Sequence, residues 1–241
     1  MKERLDVSMA KRGLVSSRSQ AESYVRLEQV KVNGRLAEKS GQLVADSDEI
    51  TLITKEQYVS RAAFKLKSVA EKLSLDFAHK TVLDVGSSTG GFTQYVLQQG
   101  AQKVFAVDVG TNQLHPSLHA DGRIELHEKT DIRDFVPSSQ VDMVVGDVSF
   151  ISLREILPYI ASIVGPQTDI VIMVKPQFEA GQSSVKHKGV IKNDKIRREI
   201  LKDFEAWSQQ YFKVIQKADS DVPGSKGNVE RFYLLHKLAT T

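Results

Sequence analysis

The 241-residue chain contains no cysteine. Disulfides and thiolate metal sites are therefore excluded. So is any chemistry that opens with a thiol nucleophile, such as pyrimidine C5 methylation through a covalent adduct. No apolar run approaches the roughly 18 residues that a membrane-spanning helix requires. The opening Met1-Lys2-Glu3-Arg4-Leu5-Asp6 lacks the apolar stretch of a secretory leader, so a cytoplasmic protein without a membrane partner is expected. The six histidines are not grouped at metal-ligand spacing, and Pro116 separates His115 from His119; no metal is expected. Neither sign of charge dominates. A net charge of +3 is too small to argue for nucleic acid unless the charges are clustered. There is no internal repeat and no low-complexity tract.

What is present is globular. A hydrophobic content of 41% suffices for one large domain, or for one of ordinary size plus a small module. The most informative stretch is Val82-Leu83-Asp84-Val85-Gly86-Ser87-Ser88-Thr89-Gly90-Gly91-Phe92-Thr93. It reads as an apolar strand, a turn rich in Gly and Ser, and a helix start. A second run, Val104-Phe105-Ala106-Val107, ends at Asp108. A backbone loop followed by a strand-end carboxylate describes a nucleotide-type pocket, the carboxylate accepting from ribose hydroxyls. The glycines are spaced G-x-x-x-G-G, not G-x-G-x-x-G. That spacing suits S-adenosylmethionine better than a dinucleotide, because no pyrophosphate has to be seated on the helix N-terminus. Asp84, Gly86, Ser87, Ser88, Gly90 and Gly91 would cradle the cofactor, with Phe92 as a wall. Asp108 and Val109 would meet the ribose, and Asp131 and Ile132 the adenine. Each aspartate alone could be a turn or cap residue; the ordered series Asp84, Asp108, Asp131, Asp147 at successive strand ends is the stronger signal.

Strands are expected near 81–85, 103–107, 123–127, 141–146 and 168–174, with helices near 91–99, 151–164 and 193–210. That alternation implies a parallel sheet with helices on both faces. Two closing strands near 212–217 and 229–237 are joined by too short a connection for a crossover helix, so they must pair antiparallel. The fold class is thus α/β, a seven-stranded Rossmann-like methyltransferase sheet, mostly parallel, with a terminal antiparallel hairpin. A small α+β module precedes it over residues 1–53, and 54–59 reads as a linker to a domain spanning 60–241. In the module, two short helices precede the Val30-Lys31-Val32-Asn33-Gly34-Arg35 hairpin signal. Its early cations, among them Arg4, Lys11, Arg12, Arg18, Lys31 and Arg35, can grip phosphates without reading sequence.

Four residues fall where the sheet edge lets them converge: Lys65, Asp147, Lys175 and Glu230. A lysine after the apolar strand Ile170-Val171-Ile172-Met173-Val174 is costly unless carboxylates pair with it. A ribose 2′-hydroxyl holds its proton tightly, so methyl transfer to it needs a base or polariser placed at the oxygen. Lys175 is the candidate, oriented by Asp147 and Lys65, with Glu230 completing the network.

These residues carry a resemblance. The order of elements in the module, with Arg4-Leu5-Asp6, Lys11-Arg12-Gly13 and Val30-Lys31-Val32-Asn33-Gly34, resembles the alpha-L RNA-binding module of a small-subunit ribosomal protein, pseudouridine synthases and bacterial tyrosyl-tRNA synthetases. Lys65, Asp147, Lys175 and Glu230, together with the Gly86 loop, resemble the Lys-Asp-Lys-Glu tetrad of FtsJ-type ribose 2′-O-methyltransferases. The combination, with Lys175-Pro176-Gln177-Phe178-Glu179 and Asp147-Val148-Ser149-Phe150, is similar to the TlyA family, also called haemolysin-like. The loop departs from many FtsJ-type proteins in having Ser87-Ser88-Thr89 where they have Ala-Ala-Pro. The resemblance implies S-adenosylmethionine as cofactor, ribosomal RNA or ribosomal subunits as partner, and 2′-O methylation of cytidine.

Other readings stay open at this point. Asp147-Val148-Ser149-Phe150 faintly echoes the Asp-Pro-Pro-Tyr signature of exocyclic-amine methyltransferases, but both prolines are missing and Lys175 would have no role. A membrane-damaging haemolysin and a noncatalytic ribosome-binding factor are the others. The polar segment 181–190, with Lys186 and Lys188, suits an RNA phosphate or a mobile lid.

Overall fold

The computed structural model describes residues 2–54, 57–180, 190–191, 193–224 and 227–239. Most of the 181–190 segment, read above as a basic loop, lies outside them. The chain divides into two compact units, Met1–Arg61 and Ala62–Thr241.

The first unit opens with β1 (Lys2–Arg4), α1 (Leu5–Lys11) and α2 (Arg18–Arg26). Ser17 caps α2, its hydroxyl accepting from the Gln20 N–H at 3.2 Å. Strands β2 (Val30–Val32) and β3 (Arg35–Leu36) form the expected hairpin. Asn33 and Gly34 both adopt positive φ, at 50° and 78°, as a tight two-residue turn requires. β4 (Leu43–Ala45) pairs with β1, and β5 (Ile50–Leu52) with β2, both antiparallel. Leu5, Met9, Ala21, Tyr24, Val25 and Val30 are buried here. Tyr58, within the segment read as a linker, is also buried: its carbonyl accepts from Gln20 Nε2 at 2.7 Å, and its N–H donates to Tyr24 Oη at 2.9 Å.

The second unit carries all but the first residue of α3 (Arg61–Ala70), then β6 (Thr81–Val85), α4 (Gly91–Gln98), β7 (Lys103–Val107) and β8 (Ile124–His127). There follow β9 (Met143–Gly146), α5 (Leu153–Ile163), β10 (Asp169–Val174), the single turn α6 (Pro176–Glu179), α7 (Asp194–Ser208), β11 (Phe212–Asp219) and β12 (Arg231–Lys237). The seven strands lie in the order β11-β12-β10-β9-β6-β7-β8. β6 to β10 are parallel, and β12 is inserted antiparallel between β10 and β11.

Alternate strand residues feed two faces. Leu83, Val85, Phe105, Val107, Val144, Ile172 and Val174 pack with Leu153, Ile156, Leu157 and Ile160 of α5 and with Leu201 and Phe204 of α7. On the other side Phe92 of α4 meets Phe232 of β12, ring centroids 6.0 Å apart. With both faces covered the strands read as continuous apolar runs, which is why they were visible in sequence.

Candidate active site

Every parallel strand that ends in a candidate residue ends at the same edge of the sheet. Val85 passes to Gly86, Val107 to Asp108, Gly146 to Asp147 and Val174 to Lys175. Because β12 runs the other way, its start lies at this edge too, and Arg231 pairs with Val174. Glu230 and Lys175 thus occupy adjacent strand ends.

The Gly86 loop is held against β7: Gly86 and Ser87 N–H both donate to the Val107 carbonyl, at 2.9 and 3.2 Å. Gly86 has φ +79°, and a Cβ there would lie 3.1 Å from the Asp147 carbonyl oxygen. Only glycine fits both the angle and the space. Asp108 is fixed at both oxygens, accepting from Ser88 N–H at 2.8 Å and Gly110 N–H at 2.6 Å. A cavity of about 380 Å³ opens at this edge; Gly86, Ser88, Asp108, Val109, Asp131, Ile132 and Asp147 are among its lining residues. Asp131 also caps the short turn after β8 and accepts from Arg133 N–H at 2.9 Å. The Arg133 guanidinium, 2.6 Å away, holds its carboxyl below the usual range.

Asp84, Ser87, Gly90, Gly91 and Phe92 are not among the lining residues. Phe92 was expected as a wall; it turns inward instead, because α4 presents that position to the β12 side of the sheet. Asp84 is fully buried. One of its oxygens accepts from Thr93 Oγ1–H at 2.6 Å, and the other has no hydrogen-bond partner. Burial pushes its carboxyl up to about 7, helped by the charges of Asp147 and Asp108 and opposed by the Thr93 hydrogen bond.

The four expected catalytic residues form two close ion pairs. Lys175 Nζ is 2.5 Å from Asp147 Oδ1, and Lys65 Nζ is 2.5 Å from Glu230 Oε2. Lys65 is 7% exposed, Lys175 9% and Glu230 3%. Both are charge contacts without hydrogen-bond alignment. Lys175 does donate an aligned hydrogen bond, to Ser149 Oγ at 2.6 Å. Asp147 and Ser149 line the cavity, so Lys175 reaches it through them.

Three residues that sequence reasoning missed shape this edge. Ser149 is one; it stands in the Asp147-Val148-Ser149-Phe150 motif, but its hydroxyl carried no periodic or charge signal. Glu179, buried, accepts from Ser152 Oγ–H at 2.7 Å and Leu153 N–H at 2.8 Å, tying α6 to the start of α5. Its burial, the largest influence, pushes its carboxyl up. Glu128 accepts from the N–H groups of Asn112, Gln113 and Leu114 and so shapes the loop that puts Gln113 on the cavity.

In the first unit the six expected RNA-contacting cations differ in what already holds them. Arg4 is paired with Asp6 at 2.8 Å and Lys11 with Glu3 at 2.6 Å. Arg12 donates to the carbonyls of Ala45, Asp46 and Asp48. Arg18 contacts Asp6 at 3.3 Å with a side chain 61% exposed. Lys31 and Arg35 stand on the β2–β3 hairpin, Lys31 half-buried and Arg35 exposed. Among the described residues no group of His, Asp and Glu could hold a metal ion, and no helix is long and apolar enough to cross a membrane.

Residues 58–237 match the family model described as FtsJ-like methyltransferase, and residues 3–50 match the S4 domain. The 16S/23S rRNA (cytidine-2′-O)-methyltransferase TlyA of Mycobacterium tuberculosis is 37% identical over 96% of this chain and 89% of its own length. Hemolysin A of Brachyspira hyodysenteriae is 36% identical over 97% of this chain and 98% of its own. A solved structure from Streptococcus thermophilus, provisionally described as a hemolysin, superposes with a TM-score of 0.76 at 36% identity, covering 99% of this chain and 90% of that one.

Proposed function

Because the chain belongs to the FtsJ-like methyltransferase family and carries an S4 domain, we propose that it methylates the ribose 2′-hydroxyl of a cytidine in ribosomal RNA, with S-adenosylmethionine as donor. We place the reaction in the cytoplasm, on ribosomal subunits. The residues present fit that cofactor. A side chain at Gly86 would fill the space the loop leaves open, and Asp84 keeps one buried oxygen unpaired, an acceptor suited to a cationic amino group. When bound, the cofactor supplies a methyl group already activated on a sulfonium.

The chain's own residues do the rest. Asp108, its orientation set by two backbone N–H groups, accepts from the ribose hydroxyls of the donor. Val109 and Ile132 flank the adenine, with Asp131 at its polar edge. Lys175 takes the proton of the 2′-hydroxyl as the oxygen attacks. Asp147 holds Lys175 in place, and Glu230 does the same for Lys65. Arg18, Lys31 and Arg35 of the S4 domain engage phosphates, with Arg4, Lys11 and Arg12 beside them. A segment over residues 1–53 that grips RNA and a domain over 60–241 that performs the transfer make up the division of labour.

The observation that carries this reading is the buried amino group of Lys175 at the carboxyl edge of the sheet, in contact with two residues that line the cavity. Lys175→Ala should abolish methylation of ribosomal particles while leaving cofactor affinity, measured by calorimetry, within about twofold, since a general base acts on the chemical step and not on donor binding. Normal methylation by that variant would overturn the assignment.

A further inference from the structure

Lys175 has one hydrogen bond whose partner has no chemical role in the reading above. Its Nζ donates to Ser149 Oγ at 2.6 Å, and this bond is aligned, whereas the 2.5 Å contact with Asp147 is not. Ser149 is itself held from both sides. Upstream, Asp147 N–H donates to the Val85 carbonyl at 3.1 Å. Downstream, Glu179 accepts from Ser152 Oγ–H and Leu153 N–H. Between them Phe150 adopts φ +67°, a conformation that costs a bulky side chain on the order of 1 kcal/mol or more and persists only where surroundings enforce it. The Phe150 ring, 93% exposed, packs on Phe178 with centroids 5.5 Å apart. The loop 147–153 is therefore pinned to the 175–179 segment at Ser149 and at Ser152–Leu153.

We propose that Ser149 is a positioning residue that aims the Lys175 lone pair at the substrate oxygen. The inference rests on Lys175 acting as the proton acceptor. A neutral amine nitrogen has four tetrahedral positions. Cε takes one, an N–H fixed on Ser149 Oγ takes a second, and the nearby Asp147 carboxylate, in contact but not aligned, draws the remaining N–H to its side. The fourth is the lone pair, and its direction is set once both N–H bonds are assigned. Asp147 alone leaves Nζ free to rotate about the Cε–Nζ bond, so the lone pair sweeps a cone. With Ser149 the cone closes to one direction. As the 2′-oxygen bonds to the methyl carbon and the sulfur–carbon bond breaks, the 2′-proton passes to that lone pair. The resulting ammonium keeps both earlier contacts, the Ser149 hydrogen bond and the Asp147 charge, so nothing has to reorganise during the transfer.

Orientation losses of this kind act on the rate of the chemical step and not on binding. The full-length protein carrying Ser149→Ala should lose about 10- to 100-fold in kcat on ribosomal particles, with KM for the particle and Kd for S-adenosylmethionine within about twofold. Ser149→Thr keeps the hydroxyl and should restore most of that loss. A Ser149→Ala enzyme with unaltered kcat overturns the inference, as does a Ser149→Thr enzyme as slow as the alanine variant. Lys175→Ala, assayed alongside, separates the two levels. If it is inactive while Ser149→Ala is normal, only the role of Ser149 falls. If Lys175→Ala is active, the reading of Lys175 falls and the role of Ser149 with it.

Discussion

Lys65 Nζ and Glu230 Oε2 lie 2.5 Å apart, and both side chains are almost wholly withdrawn from water. Removing one member of such a pair leaves the other charge buried and unpaired, which costs about 3–5 kcal/mol. Glu230→Ala should therefore lower unfolding stability by that order in urea titration. Replacing both partners with apolar residues, Lys65→Met with Glu230→Leu, should recover most of the loss, since no orphan charge remains. Equal destabilisation by the single and double replacements would show that packing, not charge, governs the site.

Gly224 stands against the same carboxylate. A Cβ built there would lie 2.8 Å from Glu230 Oε1 and 3.4 Å from the Asn228 carbonyl oxygen. Oε1 has to shift to make room, which disturbs the carboxylate whose other oxygen meets Lys65. Gly224→Ala should reduce single-turnover methylation at least tenfold, because a small displacement at a reacting cluster costs more in rate than in stability. Its melting temperature should fall less than that of Glu230→Ala. A fully active Gly224→Ala enzyme would mean that the Glu230 carboxylate can relocate without consequence.

Asp84 makes stability depend on pH in a stated direction. Its carboxyl titrates near 7 in the folded protein, raised from 3.8 chiefly by burial. Between those values the unfolded chain releases the proton and the folded protein keeps it. The Asp84 contribution is therefore intact at pH values below about 4, declines as pH rises towards 7, and is lost above it. Asp84→Asn removes that decline. Measured without cofactor, the variant should gain on the wild type by a few kcal/mol as pH rises from about 4 to about 7, then hold level. A stability difference that ignores pH would contradict the assignment.

The S4 cations should separate by what already holds them. Arg12 is committed to three backbone carbonyls, so Arg12→Ala should lower thermal stability more than it changes RNA affinity. Lys31 and Arg35 on the hairpin should behave in the opposite way. Replacing both with Ala should leave the melting temperature in place and reduce the slope of log K against log salt by about 1.5 to 2. An unchanged slope would remove the hairpin from the RNA surface.

The parallel strands were legible because β6, β7, β9 and β10 are buried on both faces and so read as continuous apolar runs, whereas their order across the sheet was not. The hairpin of the first unit was legible from Asn33-Gly34, whose turn chemistry is local. The β1–β4 pair was not: Lys2-Glu3-Arg4 is polar and three residues long, and only tertiary pairing makes it a strand. At the candidate site, residue types at strand ends were readable, since topology brings strand ends together. Partner assignment was not. Both carboxylates were expected around Lys175, yet Glu230 contacts Lys65, because side-chain reach across neighbouring elements leaves no mark in a linear pattern. Phe92 was misplaced for the same reason: a helix start after a glycine loop does not disclose which side of its first turn faces the sheet.

The reversed strand has a consequence for how the molecule comes into being. β12 is the last of the described strands in chain order, and the residue just ahead of it supplies the counter-charge for a lysine near the start of the second unit. During translation the donor cradle, built from β6, β7 and β9, emerges long before Glu230. A growing polypeptide can shape that hollow while Lys65 still lacks its counter-charge, which arrives only once the start of β12 has been made.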